Sequence, residues 1–313
     1  MPFTNLSSPR KVAGLGAEVA SLAALEPANL IAALTTDPVT VSAVPFAGGT
    51  SKPSKVALGA ATEVALLSKA VAVVRSGDEI WALLDIQHTP KLDQAARDIR
   101  SLHANPGGET AFAIGWGGRG AELKMHQHEV VGRDFTLRGE LRACAIGAGE
   151  TYAVVDGPGG GQLRAHPGAT PESAPSARAD LPADAAPLDR LAGGRELAAL
   201  FKRGTANACV VRRAGMAPPS AKMVVLDGPA VGVAVIASSL FAIGADGKLR
   251  LFNADALQGA GPEPMTPTAV VDVRANGEPT VLAATTRGGN RLWIGTRAGD
   301  VIRVDALKRG LDV

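Results

Sequence analysis

The sequence predicts an all-β chain whose strands close into a ring of seven four-stranded sheets, a seven-bladed β-propeller. Three observations carry this expectation. A hairpin unit, two apolar runs around a turn, recurs seven times. The turns stand 40 to 52 residues apart. The last unit lacks a final strand, and a segment near the start of the chain has no hairpin of its own and can supply it.

The hairpin is clearest in "SSLFAIGADGKLRLFNADAL", residues 238–257, where an apolar run is followed by turn residues Ala245, Asp246 and Gly247, and then by polar and apolar residues in alternation. "RLWIGTRAGDVIRVDAL", residues 291–307, repeats the design around Gly299. Earlier copies turn at Asp37-Pro38 and around Gly77, Gly118, Gly159 and Gly204, so the steps between turns are 40, 41, 41, 45, 43 and 52 residues. A period near 40 to 45 residues is that of one four-stranded blade.

Two further strands fit between successive hairpins, as in "SKVALGA" and "TEVALLS" after the first or "TAVVDVR" and "TVLAATT" after the sixth. The anchor hairpin is therefore the second and third strand of each blade. Only "KRGLDV" follows the seventh hairpin, so "RKVAGL", residues 10–15, is expected to complete the last blade and remove its exposed edge. The lengthened steps contain "GATPESAPSARADLPADAAP", residues 168–187, and "ALQGAGPEPMTP", residues 256–267, read as flexible inserts because they lack apolar periodicity. The chain, 1–313, is read as a single domain. These inserts and "QHTPKLDQAAR", residues 87–97, follow third strands and so share one face of the ring.

The motif "GKLRLFN", residues 247–253, resembles the "G-x-V-R-L-W-D" strand of the WD40-repeat family, and "GDVIRVD", residues 299–305, is similar, with Asp305 at the terminal Asp position. "EIWALLD", residues 79–85, is a looser version. Gly-His and Trp-Asp dipeptides are absent, so the family's His, Ser/Thr, Asp, Trp network does not carry over to this chain. The resemblance implies a rigid propeller used as a platform for protein binding.

Composition sets the outer limits. Hydrophobic residues are 46% and charged residues 20%, a globular balance. With 32 Lys and Arg against 30 Asp and Glu, a net charge of +2 gives no bulk charge for nucleic acid binding. Two cysteines, Cys144 and Cys209, without C-x-x-C spacing suit a reducing compartment, and the start has no apolar leader, so a cytoplasmic location without a membrane span is expected.

Local signatures of chemistry are sparse. "KVAGLGAEVASLAAL" imitates a dinucleotide-binding turn at Gly14 and Gly16, with Asp37 in the ribose position, but Val19 replaces the third glycine. His126 and His128 share a strand face without a third ligand nearby in the sequence, so no metal site is expected. No nucleophile elbow, P-loop, H-E-x-x-H or EF-hand pattern occurs, so no catalytic residues and no cofactor are expected. The rival readings are an enzyme, or a small-ligand binder, whose site is built from loops around the central channel. An aromatic content of 4% disfavours a glycan site, which would stack sugars on exposed rings.

A binding role has a positive signal. Two residues before the turn position stand Arg75, Trp116, Lys202 and Arg297, in blades 2, 3, 5 and 7. Second-to-third-strand turns share one face, so these residues form a candidate rim of three cations and one aromatic ring. Arg and Trp are the residue types that most often anchor interfaces. The expected function is a non-catalytic protein–protein interaction scaffold, a subunit or adaptor of a larger assembly whose partners are one or more other proteins of that complex.

Overall fold

The computed structural model describes residues 3–49, 53–88, 90–105, 108–147, 149–212, 219–253, 257, 263–285 and 289–308. Seven antiparallel sheets follow one another along the chain. Blade 1 is Val19–Leu25, Leu30–Thr36, Val39–Pro45 and Ser54–Lys55; blade 2 is Ala61–Leu66, Val71–Ser76, Glu79–Leu84 and Lys91–Ala96. Blade 3 is Ile99–Ala104, Thr110–Gly115, Arg119–His126 and Glu129–Thr136; blade 4 is Glu140–Gly147, Glu150–Gly157, Gly160–Pro167 and Ala177–Asp180. Blade 5 is Arg190–Gly193, Leu197–Phe201, Asn207–Arg212 and Ser220–Val225; blade 6 is Ala230–Ile236, Ser239–Gly244, Lys248–Asn253 and Ala269–Asp272. Blade 7 takes Pro279–Ala284, Arg291–Thr296 and Asp300–Lys308 from the end of the chain.

The second strands explain why their sequences read as unbroken apolar runs. Each lies between two neighbouring sheets, so both faces are covered: Leu197–Phe201 and Ser239–Gly244 are buried at every position. Fourth strands form the outer edge and keep polar, exposed residues, as in Glu129–Thr136. Apolar clusters fill the spaces between blades; Leu197, Val210, Val235, Leu240 and Phe252 pack between blades 5 and 6.

The ring closes as the truncated last repeat predicts, with one addition. Arg10–Gly14 pairs with residues 300–303 of the final strand, and a further short strand, Phe3–Leu6, pairs with residues 306–308. Ser7 joins the two: its N–H donates to the Asp305 carbonyl at 2.9 Å, and its Oγ accepts from the Asp305 N–H at 2.8 Å. Phe3 and Leu6 are buried, with Phe3 edge-on to Phe241 at 6.0 Å. Gly14 therefore lies in a closing strand, and Val19–Leu25 is a strand where a dinucleotide site needs a helix.

Two of the segments that follow third strands contain regular structure. Within 168–187, Ala177–Asp180 is the outer strand of blade 4, Ala179 and Ala185 are buried, and His166 Nδ1 lies 2.8 Å from the Ser173 carbonyl. Within 87–97, Lys91–Ala96 is the outer strand of blade 2. In 256–267, residues 256 and 258–262 lie outside the described residues, while Leu257 and Met265 are buried between blades 5 and 6. Among the described residues, no helix is long and apolar enough to cross a membrane.

Six of the seven first strands carry a β-bulge near their start, with blade 5 the exception. The extra residue in each case has no cross-strand partner, so its side chain is re-aimed. In blades 3 and 4 that residue is an arginine, Arg100 and Arg142.

Candidate binding face and channel mouth

The second-to-third-strand turns and the starts of the first strands share one face. Four turns have glycine with positive φ where the sequence placed it, at Gly77, Gly204, Gly247 and Gly299; in blades 3 and 4 it is the neighbouring Gly117 and Gly160. The blade 3 turn is held tightly. The Leu137 N–H donates to the Gly118 carbonyl and the Leu141 N–H to the Gly117 carbonyl, each at 2.9 Å. A Cβ on Gly118 would lie 1.7 Å from the Leu137 carbonyl oxygen, so only glycine allows this approach. The turn presents Trp116, 59% exposed, with the Arg100 guanidinium 5.6 Å from its ring centroid.

The three rim cations differ in their surroundings. Arg297 is exposed but lies 2.7 Å from Glu278 and 3.6 Å from Glu18. Lys202 is exposed on the blade 5 turn. Arg75 turns inward: its Nε donates to Glu63 Oε2 at 2.6 Å, its Nη1 to the Gly77 carbonyl at 2.6 Å and its Nη2 to Thr62 Oγ1 at 2.9 Å. The structure thus sets Trp116 and Lys202 on the surface, pairs Arg297 with acids, and commits Arg75 to the channel.

Glu63 is the hub of that channel mouth. It sits in the first strand of blade 2, only 5% exposed, and accepts from Arg75, from Arg190 Nη2 at 2.6 Å and from the Leu102 N–H at 2.8 Å. Its contacts span blades 2, 3 and 5 and so cross the axis. Burial alone would raise its pKa, but Arg190 and then Arg75 outweigh that effect and hold it below the ordinary carboxylate value. Beside it, His103 is buried and bonded to Ser101 at 3.0 Å. Burial first, then repulsion from Arg190, lowers His103 to about 4, so the ring is neutral at pH 7.

Two spaces lie here, both lined by Glu63 and Arg190. A narrow cavity of about 130 Å³ follows the axis between the first strands, past Leu102, His103 and Val233. A wider one of about 320 Å³ opens above it, lined by Arg75, Arg100, Arg142 and Arg190 together with Glu63 and Asp189. Arg100 pairs with Glu140 at 2.8 Å and donates to the Leu141 carbonyl. Arg142 Nη1 donates to the carbonyls of Ala185, Ala186 and Leu188 at 2.7 to 2.8 Å, and its Nε lies 3.0 Å from Asp156.

Sequence reasoning missed Glu63, Arg100, Arg142 and Arg190. The available signal was a charge inside an apolar first-strand run: Glu63 in "TEVALLS" and Arg142 in "LRACAIG". Elsewhere, His126 ends one strand and His128 lies in the turn that follows, both exposed. Among the described residues no three His, Cys, Asp or Glu side chains converge as a metal site. Cys144 and Cys209 are fully buried, and burial pushes both thiols up, Cys209 to about 12, so neither offers a thiolate at neutral pH.

The WD40-like motifs take a different form from the family's hydrogen-bond network. Arg250 of "GKLRLFN" is buried and grips Asp246 through two bonds, 3.0 Å and 2.5 Å, while Arg303 of "GDVIRVD" grips Asp305 at 2.8 Å and 2.7 Å. Paired Arg and Asp side chains fix these strands where the family uses His, Ser/Thr and Trp.

No protein family matches the sequence, and no curated protein matches it either. Among solved structures, the WD40 domain of Neurospora crassa Pan2 is similar, with a TM-score of 0.60 and 9% identity over 98% of this chain and 97% of that one. At that identity the likeness is one of fold, and the chain forms a seven-bladed WD40-like β-propeller.

Proposed function

We propose that the protein is a non-catalytic interaction platform, a single cytoplasmic propeller domain that serves as a subunit or adaptor of a larger assembly. Its partner docks on the face carrying Trp116, with Lys202, Arg297 and Arg75 around it. The observation that supports this reading most is the geometry of Trp116: a 59% exposed indole on a turn clamped by two backbone bonds and a glycine with no room for a Cβ. A large ring held in place before binding loses little freedom on docking, which is the property of an interface anchor. The WD40-type fold supports the same reading, since such propellers commonly act as protein-interaction scaffolds.

The test is affinity capture from the native host with quantitative mass spectrometry, comparing wild type with Trp116→Ala and with Glu172→Ala on the opposite face. The reading expects a defined set of proteins to be depleted at least about tenfold by Trp116→Ala, the loss of roughly 1.4 kcal/mol or more, and to be unaffected by Glu172→Ala. Equal recovery by wild type and Trp116→Ala would overturn it.

A further inference from the structure

We infer that the mouth of the channel is a binding site for a small organic oxyanion carrying about two negative charges, a phosphate ester, held by Arg100, Arg142 and Arg190. This inference does not rest on the partner-platform reading, although the site adjoins the proposed docking surface where Arg100 lies against Trp116.

The site is a recess with built walls. Its cavity of about 320 Å³ is at the small end of the range for ligand sites. Four arginines and two carboxylates line it, an excess of two positive charges, matching a phosphate monoester. The other two acids, Glu140 and Asp156, pair with Arg100 and Arg142 at 2.8 and 3.0 Å from outside the cavity and are 39% and 38% exposed, so each can turn to water when an anion takes its arginine. Guanidinium groups suit this ligand because each presents a planar fork of donors to a phosphate.

The arginines are also positioned beforehand. Arg100 and Arg142 are the bulge residues of their strands, which frees their side chains from the alternation of the sheet. Arg190 is tied to Glu63 by one nitrogen, Nη2. Arg142 is 7% exposed, with Nη1 held by three carbonyls and Nη2 packed toward Gly161, so its charge is fixed in place at the wall of the cavity. After burial, Arg190 lowers the basicity of His103 by more than the neighbouring Glu63 raises it, and Arg100 and Arg75 add to the lowering, in keeping with a positive potential here.

The experiment titrates the full chain with inorganic phosphate and with pyrophosphate by calorimetry and by thermal shift, at constant ionic strength set with sodium chloride. The inference expects saturable binding that weakens about tenfold in Arg142→Gln and Arg100→Gln, one charge-assisted contact each. Arg297→Gln and Lys202→Gln, whose side chains do not line the cavity, should bind these anions as wild type does, so loss of the partner and loss of the anion are separately readable. Should Arg142→Gln not fold, Arg100→Gln carries the test, its side chain being the more exposed at 23%. No saturable binding up to about 10 mM, or unchanged affinity in Arg100→Gln, overturns the site. An Asp- and Glu-rich peptide that displaces pyrophosphate and binds more tightly overturns the small-molecule assignment in favour of a protein segment.

Discussion

Replacing Glu63 by Gln removes one charge from the centre of the ring while leaving its shape almost unchanged. Two arginines then lose their shared counter-ion: Arg75 and Arg190 both reach Glu63 at 2.6 Å, and Gln can accept from only one of them through its single oxygen. Stripping one partner from a buried pair costs about 3 to 5 kcal/mol. Arg75 and Arg190 keep 19% and 32% exposure and can recover some hydration, which places the expected loss near the lower end, about 3 kcal/mol. For a chain of this size that lowers the Tm by about 6 °C, at roughly 2 °C per kcal/mol. Because the folded Glu63 pKa lies below its ordinary 4.5, its contribution is complete above pH 4.5 and is lost as the pH falls through the folded value. Thermal melts of wild type and Glu63→Gln should therefore differ by a constant gap at neutral pH and converge in acid. A gap under about 1 °C at pH 7 would refute the hub.

Other outcomes follow from the same geometry. His103 is neutral in the fold with a pKa of about 4 against an ordinary 6.5, so wild-type stability should fall by roughly 3 kcal/mol between pH 6.5 and 4, and His103→Gln should flatten that slope in acid titrations followed by circular dichroism. Gly118→Ala should cost about 3 kcal/mol in urea unfolding, because its Cβ would collide with the Leu137 carbonyl; the same substitution at Gly149, where nothing lies within 4 Å, should cost about 1 to 2 kcal/mol from its positive φ alone. Deleting residues 1–15 uncovers the edge of residues 300–308 and removes the buried Phe3, Leu6 and Val12, a loss of roughly 5 kcal/mol or of solubility; a variant as stable as the full chain would contradict closure.

Hairpins announce themselves and short edges do not, which is why the sequence revealed the ring better than its mouth. The seven turns were readable because each separates a largely buried second strand from a third strand in which polar and apolar residues alternate along the sequence, as at Ser239–Gly244 and Lys248–Asn253. Gly117 and Gly160 show the limit of that reading: in "GWGG" and "GPGGG" several glycines compete, and only the backbone tells which one takes positive φ. Ala177–Asp180 and Phe3–Leu6 escaped notice because four residues at a sheet edge need little apolar periodicity when the neighbouring strand supplies the pairing. The rim residues Trp116 and Arg75 look alike in sequence, each two places before its turn position, yet one stands in solvent and the other bends to Glu63. That contact spans blade 2 alone, but the Arg190 that shares the carboxylate comes from 127 residues further on, a separation no local pattern reports.

Site-specific photo-crosslinking tests the platform most directly, with a photoreactive amino acid placed at position 116 and, in a second variant, at position 172 on the opposite face. Irradiated in cells of the native host, the variant at 116 should yield a discrete protein conjugate whose crosslinked peptide maps to one partner, and the variant at 172 should not yield that conjugate. The same conjugate from position 172, or none from position 116 in a folded protein, would contradict the assignment of this face as the docking surface.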